Sequence, residues 1–295
     1  MYDICTIGHI TNDKVVTHNS VKYMPGGTAF YFSKALQYFD LNNILVTAVG
    51  TTEQSAVKLL QSEGLLITAL SSRHTVFFEN IYPKNQDYRE QNVLETADPF
   101  SIATMPGIAA KIYHLGPLLA HDIPVDLLKM LASRGLVSLD VQGYLRNVKN
   151  KKVIFSDWIE KKQALPYVTF LKANDFEMEL LTGTKDVEES AIQLAAYGIK
   201  EVIITLGSKG SIIYANETFH KIPAFTPASV VDATGCGDTY MAGYLYQKSR
   251  GASVDVAGTF GAAMATLKIQ SSGPFSGTEN QVNTLLFSAS ELTSK

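Results

Sequence analysis

Residues 230–250 read VVDATGCGDTYMAGYLYQKSR. After Gly235-Cys236-Gly237-Asp238 the apolar residues recur at helical spacing, so a helix is expected to begin near Gly237. The first amide N–H groups of a helix have no partner inside it, and the macrodipole adds partial positive charge at that end. Such a start holds anions, and Gly235 and Gly237 let backbone approach one without a Cβ in the way. Asp238 falls in the first turn, where aspartate can simply cap the helix. With a second acid at Asp232 and two glycines bracketing Cys236, it is equally a candidate general base.

Other glycine-rich readings fail on spacing. Tyr240 stands where a dinucleotide fingerprint would place its third glycine, and the segment lies far from the first strand, where that fingerprint belongs. Leu206–Ser211 (LGSKGS) has the wrong spacing for a phosphate-binding P-loop, and no Gly-x-Ser-x-Gly elbow occurs. A dinucleotide-dependent oxidoreductase is therefore a distant reading.

Outward from this segment, apolar runs of strand length recur at Asp3–Gly8, Ile44–Gly50, Lys111–Gly116, Val137–Val141, Val168–Ala173 and Glu201–Leu206. Helical patterns lie between several of them, at Thr28–Phe39, Gln54–Ser62, Val125–Ser133 and Val187–Tyr197. This alternation predicts an α/β fold with a central, mostly parallel sheet flanked by helices, whose ligands sit beyond the carboxyl ends of the strands. Two stretches break the rhythm, Lys14–Met24 and Thr75–Tyr82, with β-branched and aromatic residues but no helical period. They read either as a small separate sheet, a lid with segments near 14–25 and 75–92, or as edge strands of the main sheet. The chain is read as one domain over 1–295.

Of the 295 residues 46% are hydrophobic and 18% charged, a globular composition, and the net charge of −3 with no sustained basic stretch argues against nucleic acid as a partner. Lys149, Lys151 and Lys152 read as a solvated loop. The start MYDICTIG runs straight into a strand, with neither a signal peptide nor a membrane span, so a cytoplasmic protein is expected. Two cysteines make no disulfide framework, and the six histidines show no zinc-ligand spacing.

The residues resemble the phosphofructokinase-B (PfkB) family, the ribokinase-like carbohydrate and nucleoside kinases. DATGCGD at 232–238 is similar to that family's signature Asp-Thr-x-Gly-Ala-Gly-Asp, with Cys236 in place of alanine. Four more matches follow the family's order: GHITND at 8–13, Gly26-Gly27, NDFE at 174–177 followed by ELLTG, and TLGSKG at 205–210. The resemblance implies a ribokinase-like fold with a small β lid, and an ATP-dependent phosphotransferase acting on a hydroxyl of a sugar or polyol. Asp238 would be the general base, with an anion hole at Gly235, Cys236 and Gly237. Asp13, Gly26, Gly27 and Tyr31 would meet substrate, and Asn174, Thr205, Gly207 and Gly210 would meet ATP.

The resemblance also implies Mg²⁺ held through water by Asn174 and Glu177, a monovalent cation such as K⁺ near Asp232, and a homodimer through the lid. Several of these positions have a plainer reading. Asn174 and Glu177 form an Asn-x-x-Glu capping box, Thr205, Gly207 and Gly210 suit a tight turn, and Asn12-Asp13 is a turn signal. Tyr31 stands where the family often has asparagine, which departs from the usual sugar-hydroxyl pattern. Arg146 is weighed as a phosphate contact and as a solvated residue. A neutral polyhydroxy compound, either a sugar or a cyclic polyol such as inositol, is the favoured substrate. A nucleoside is the runner-up if Phe30, Tyr31 and Phe32 make a stacking face rather than core, and a non-catalytic ligand-binding regulator is the rival from another class.

Overall fold

The computed structural model describes residues 1–17, 20–81 and 90–293. A nine-stranded sheet forms its centre. Seven neighbouring strands are parallel, in the spatial order Glu201–Thr205, Phe170–Asn174, Leu136–Asp140, Ala110–Leu115, Tyr2–Ile7, Asn43–Val49 and Ile67–Ser71. Ser211–Ala215 and Thr218–Ile222 extend it antiparallel at one edge. The central strands are buried on both faces, which is why they read as apolar runs. Successive residues feed opposite cores. Val202 and Ile204 pack with the helices Val125–Ala132, Asp175–Thr182 and Val187–Ala195 on one side. Ile203 packs with Thr28–Ala35, Cys236–Ser249 and Val254–Lys268 on the other.

The two stretches without helical period form a second sheet, not edge strands of the first. Lys14–Met24 is a hairpin, Thr11–Val16 paired with Val21–Gly26, and Thr11–Val16 also runs parallel to Phe77–Ile81. The expected lid segment near 75–92 reaches only the start of the strand Glu90–Glu95, and sequence reading missed the hairpin Arg146–Lys149 with Lys152–Phe155 that completes this six-stranded sheet. The loop expected at Lys149, Lys151 and Lys152 is the turn of that hairpin, with positive φ at Asn150 and Lys151. Val76, Phe78 and Val93 of the second sheet pack on Leu118 and Leu119, beyond the carboxyl end of the strand Ala110–Leu115. Residues 82–89 of the expected lid segment lie outside the described residues. Among the described residues no helix is long and apolar enough to cross a membrane.

Candidate active site

The carboxyl ends of two adjacent strands, with the helix that follows the second, make a charged floor. Asp140 closes Leu136–Asp140 and pairs in register with Lys172 on the neighbouring strand, so both side chains leave the same face. Lys172 Nζ donates to Asp140 Oδ2 at 2.9 Å and stands 3.9 Å from Glu177 Oε2. The Lys172 and Asp140 side chains are 5% and 1% exposed. Burial alone would depress the Lys172 ammonium, but Asp140, Glu177 and Asp238 outweigh it and hold the group charged. Sequence reading missed this pair. The available signal was a lysine in the otherwise apolar run FLKAN.

Above the floor begins the helix Cys236–Ser249, with Gly235 as its left-handed N-cap at φ 78°. Ala233 O accepts from the Cys236 N–H at 3.2 Å, and the Thr239 N–H turns back to Gly235 O at 2.9 Å. That leaves the N–H groups of Gly235, Gly237 and Asp238 without an acceptor among the described residues, while Cys236 of the expected trio is taken up. A Cβ on Gly237 would come within 3.1 Å of Lys172 Nζ, which places the ammonium directly beneath this helix start. Burial pushes the Cys236 thiol up to about 11, so it is a neutral filler against Ala265 O, 3.8 Å away.

Asp238 is half-buried at the same spot and faces the cavity beyond it. Burial, then the nearby Asp140, push its carboxyl up to about 7, against the opposing pull of Lys172 and a hydrogen bond from Thr28. Thr28 opens the helix Thr28–Ala35 directly after Gly26-Gly27. The Asp13 carboxylate lies against Gly26, with Oδ2 only 2.6 Å from where a Cβ would stand. The fold thus gathers Asp13, Gly26, Gly27 and Asp238 at one place, joined by Thr28. Tyr31 enters differently from expectation. It is 4% exposed, and its ring lies under Gly235, 2.3 Å from an ideal Cβ there. Phe30 and Phe32 are core residues, Phe32 stacked on His114, so the aromatic run offers no open stacking face.

Gly235→Ala is accordingly expected to lower Tm, because it adds a left-handed alanine to a clash with Tyr31; the strained conformation alone costs about 1–3 kcal/mol. A melting curve equal to wild type would contradict this packing.

From the helix start a cavity of about 760 Å³ runs outward. Asn174, Thr205, Gly207 and Gly210 are among its lining residues, and Phe225, Val230, Ala262, Ala265 and Ile269 supply apolar lining. The plainer readings hold here as well. Asn174 and Glu177 exchange both bonds of a capping box at 2.8 Å each, and Gly207 and Gly210 take positive φ in the tight turn between Glu201–Thr205 and Ser211–Ala215. Arg146 sits over the Phe155 ring at 6.0 Å, and its charge also reaches Glu177.

Comparison with known proteins agrees with this architecture. The model of the pfkB family carbohydrate kinases matches residues 1–281. A cytidine kinase of Thermococcus kodakarensis is 25% identical over 85% of this chain and 90% of its own. A ribokinase of Haemophilus influenzae is 28% identical over 55% of each chain. Among solved structures, a pyrophosphate-dependent kinase of the ribokinase family, complexed with a pyrophosphate analogue and myo-inositol, superposes with a TM-score of 0.85 at 27% identity over 95% of this chain and 99% of that one. With the fold, the helix-start signature and the family model in agreement along nearly the whole chain, the protein belongs to the pfkB family of carbohydrate kinases and is a phosphoryl-transferring enzyme of that family.

Proposed function

We propose that this kinase transfers the terminal phosphoryl group of ATP to a hydroxyl of a neutral polyhydroxy compound, a sugar or a cyclic polyol such as an inositol. The observation that carries the reading is Asp238, a half-buried, desolvated carboxyl pushed up to about 7 at a helix start with free N–H donors. Efficient proton transfer calls for a base of that strength. Asp238 accepts the acceptor hydroxyl's proton as its oxygen bonds to phosphorus and the bond to the bridging oxygen of the donor breaks, releasing ADP. The N–H groups of Gly237 and Asp238, with the Lys172 charge beneath, stabilise the transferring group. Asp13 orients substrate hydroxyls.

Magnesium on the donor phosphates would neutralise charge there, held from Asn174 and Glu177 through water. The residues fit that use. Asn174 lines the cavity and Glu177 Oε2 lies just behind it, accepting from the Asn174 N–H at 2.8 Å, so contact with the ion would run through water, as suits an ion that keeps most of its waters.

Two alternatives have specific support. A nucleoside acceptor has the Thermococcus relative behind it, but the buried Phe30 and Phe32 remove the stacking face such a base would use. Pyrophosphate as donor has the structural neighbour behind it, whereas the apolar lining of the cavity suits a nucleotide base. A screen with Mg²⁺ and either ATP or pyrophosphate, across pentoses, hexoses, inositols and nucleosides, separates them. We expect ATP-dependent turnover of a polyol or sugar, and a kcat/KM lowered roughly 10–100-fold by Asp13→Ala, the worth of a hydrogen bond to a charged group. Turnover of nucleosides alone, or with pyrophosphate alone, contradicts the reading.

A further inference from the structure

We propose that Lys268 is a built-in monovalent cation for the anion-binding loop, so that turnover needs no added potassium. The inference rests on residues 232–238 being the phosphoryl site, as argued above. Lys268 is the last residue of the helix Val254–Lys268, and its side chain is fully buried. Lysine is almost never buried without partners. Its Nζ donates to Asp232 O at 2.9 Å and to Ser271 O at 3.2 Å, and stands 3.5 Å from Asp232 Oδ2. An ammonium has three donors, and these three oxygens match them. The end of a helix, with its partial negative charge, favours a cation at this point.

The surroundings tie this ammonium to the loop. Ile269 O accepts from the N–H groups of Val231 and Asp232 at 2.8 and 3.2 Å, and Asp232 Oδ1 accepts from the Thr234 N–H at 2.9 Å. Gly235 and the helix start follow at once. Asp232 and its neighbouring carbonyls therefore do not fit the potassium ion that the family resemblance implied. An ammonium, close to potassium in size and equal in charge, already holds the oxygens such an ion would need. A second cation there would face the Lys268 charge across a few ångströms of buried space.

The test compares wild type and Lys268→Ala with potassium, methylammonium or tetramethylammonium as the sole monovalent cation. Two readouts are taken, kcat and calorimetric affinity for Mg²⁺ with adenylyl imidodiphosphate. Wild type is expected to give the same values in all three salts. Lys268→Ala is expected to lose about 10²-fold in kcat, as when one transition-state donor is removed. Potassium or methylammonium should restore part of the loss and tetramethylammonium none.

A potassium-dependent wild type overturns the proposal without any variant having to fold. So does a Lys268→Ala enzyme of wild-type kcat in tetramethylammonium, or a folded variant that neither small cation rescues. If wild type turns over no acceptor in the screen, the phosphoryl-transfer reading fails on its own, and the affinity series still decides the role of Lys268.

Discussion

Asp238→Asn is expected to lower kcat by about 10²-fold or more while raising Tm at pH 8. The asparagine keeps the size of the side chain and can keep the Thr28 contact, but it cannot accept the substrate proton. The stability gain follows from the same burial. The carboxyl titrates near 7 in the folded protein and near 3.8 when free, so between those values the folded state keeps a proton the unfolded state has released. The stability this contributes is present at low pH and is lost as pH rises through about 7, where the carboxylate must be ionised in a desolvated place. An amide avoids that cost. Calorimetric melting at pH 5 and pH 8, with kcat alongside, checks both halves. Near wild-type kcat would remove Asp238 from its role, and a Tm gain equal at both pH values would contradict the desolvation argument.

Lys172→Met is the second large effect. The substitution leaves Asp140, Glu177 and Asp238 together without their cation, and removing one partner of a buried pair costs about 3–5 kcal/mol. Turnover should fall about 10²–10³-fold, since the charge beneath the helix start is lost as well. The residual activity carries the more specific signature. Lys172 holds the Asp238 carboxyl down, so without it the rising limb of the pH–rate profile should move above pH 7. Pairing the change with Asp140→Asn should recover Tm without recovering kcat. A pH profile that keeps its wild-type midpoint in Lys172→Met would show that the ammonium does not act on Asp238.

What could be read from sequence divides along a physical line. The parallel sheet was legible because strands buried on both faces, such as ICTI at 4–7 and ILVTAV at 44–49, leave continuous apolar runs. The helix start at Gly235–Asp238 was legible because its glycines and acid encode a local conformation. The capping box at Asn174 and Glu177 was legible for the same reason. The Asp140–Lys172 pair was not, since it exists only through the register of two strands. Nor was Lys268, whose oxygen partners come from Asp232, far back in the chain, and from Ser271 just past the end of its own helix. The end of Glu90–Glu95 (EQNVLE) and the hairpin at 146–155 were missed because their alternation is short and crowded with polar and charged residues. Tyr31 was expected beside substrate, but Thr28–Ala35 is buried on nearly every side, which turns its ring beneath Gly235.

The position of the first strand, between Asn43–Val49 and Ala110–Leu115, has a consequence for how the protein forms. Parallel neighbours cannot meet through a tight turn, so each pairing must close a long loop before its contacts return any free energy. Such topologies fold slowly. The base Asp238 meets its hydroxyl partner Thr28 across most of the chain's length, and the floor beneath them needs two further strands in register. During synthesis no portion of this chain that ends before Asp238 can hold the site, because the loop that carries Asp238 emerges after every parallel strand has been made. Recovered turnover in a refolding experiment therefore times the closure of the longest-range contacts, later than any signal from Trp158 stacking on nearby Tyr144.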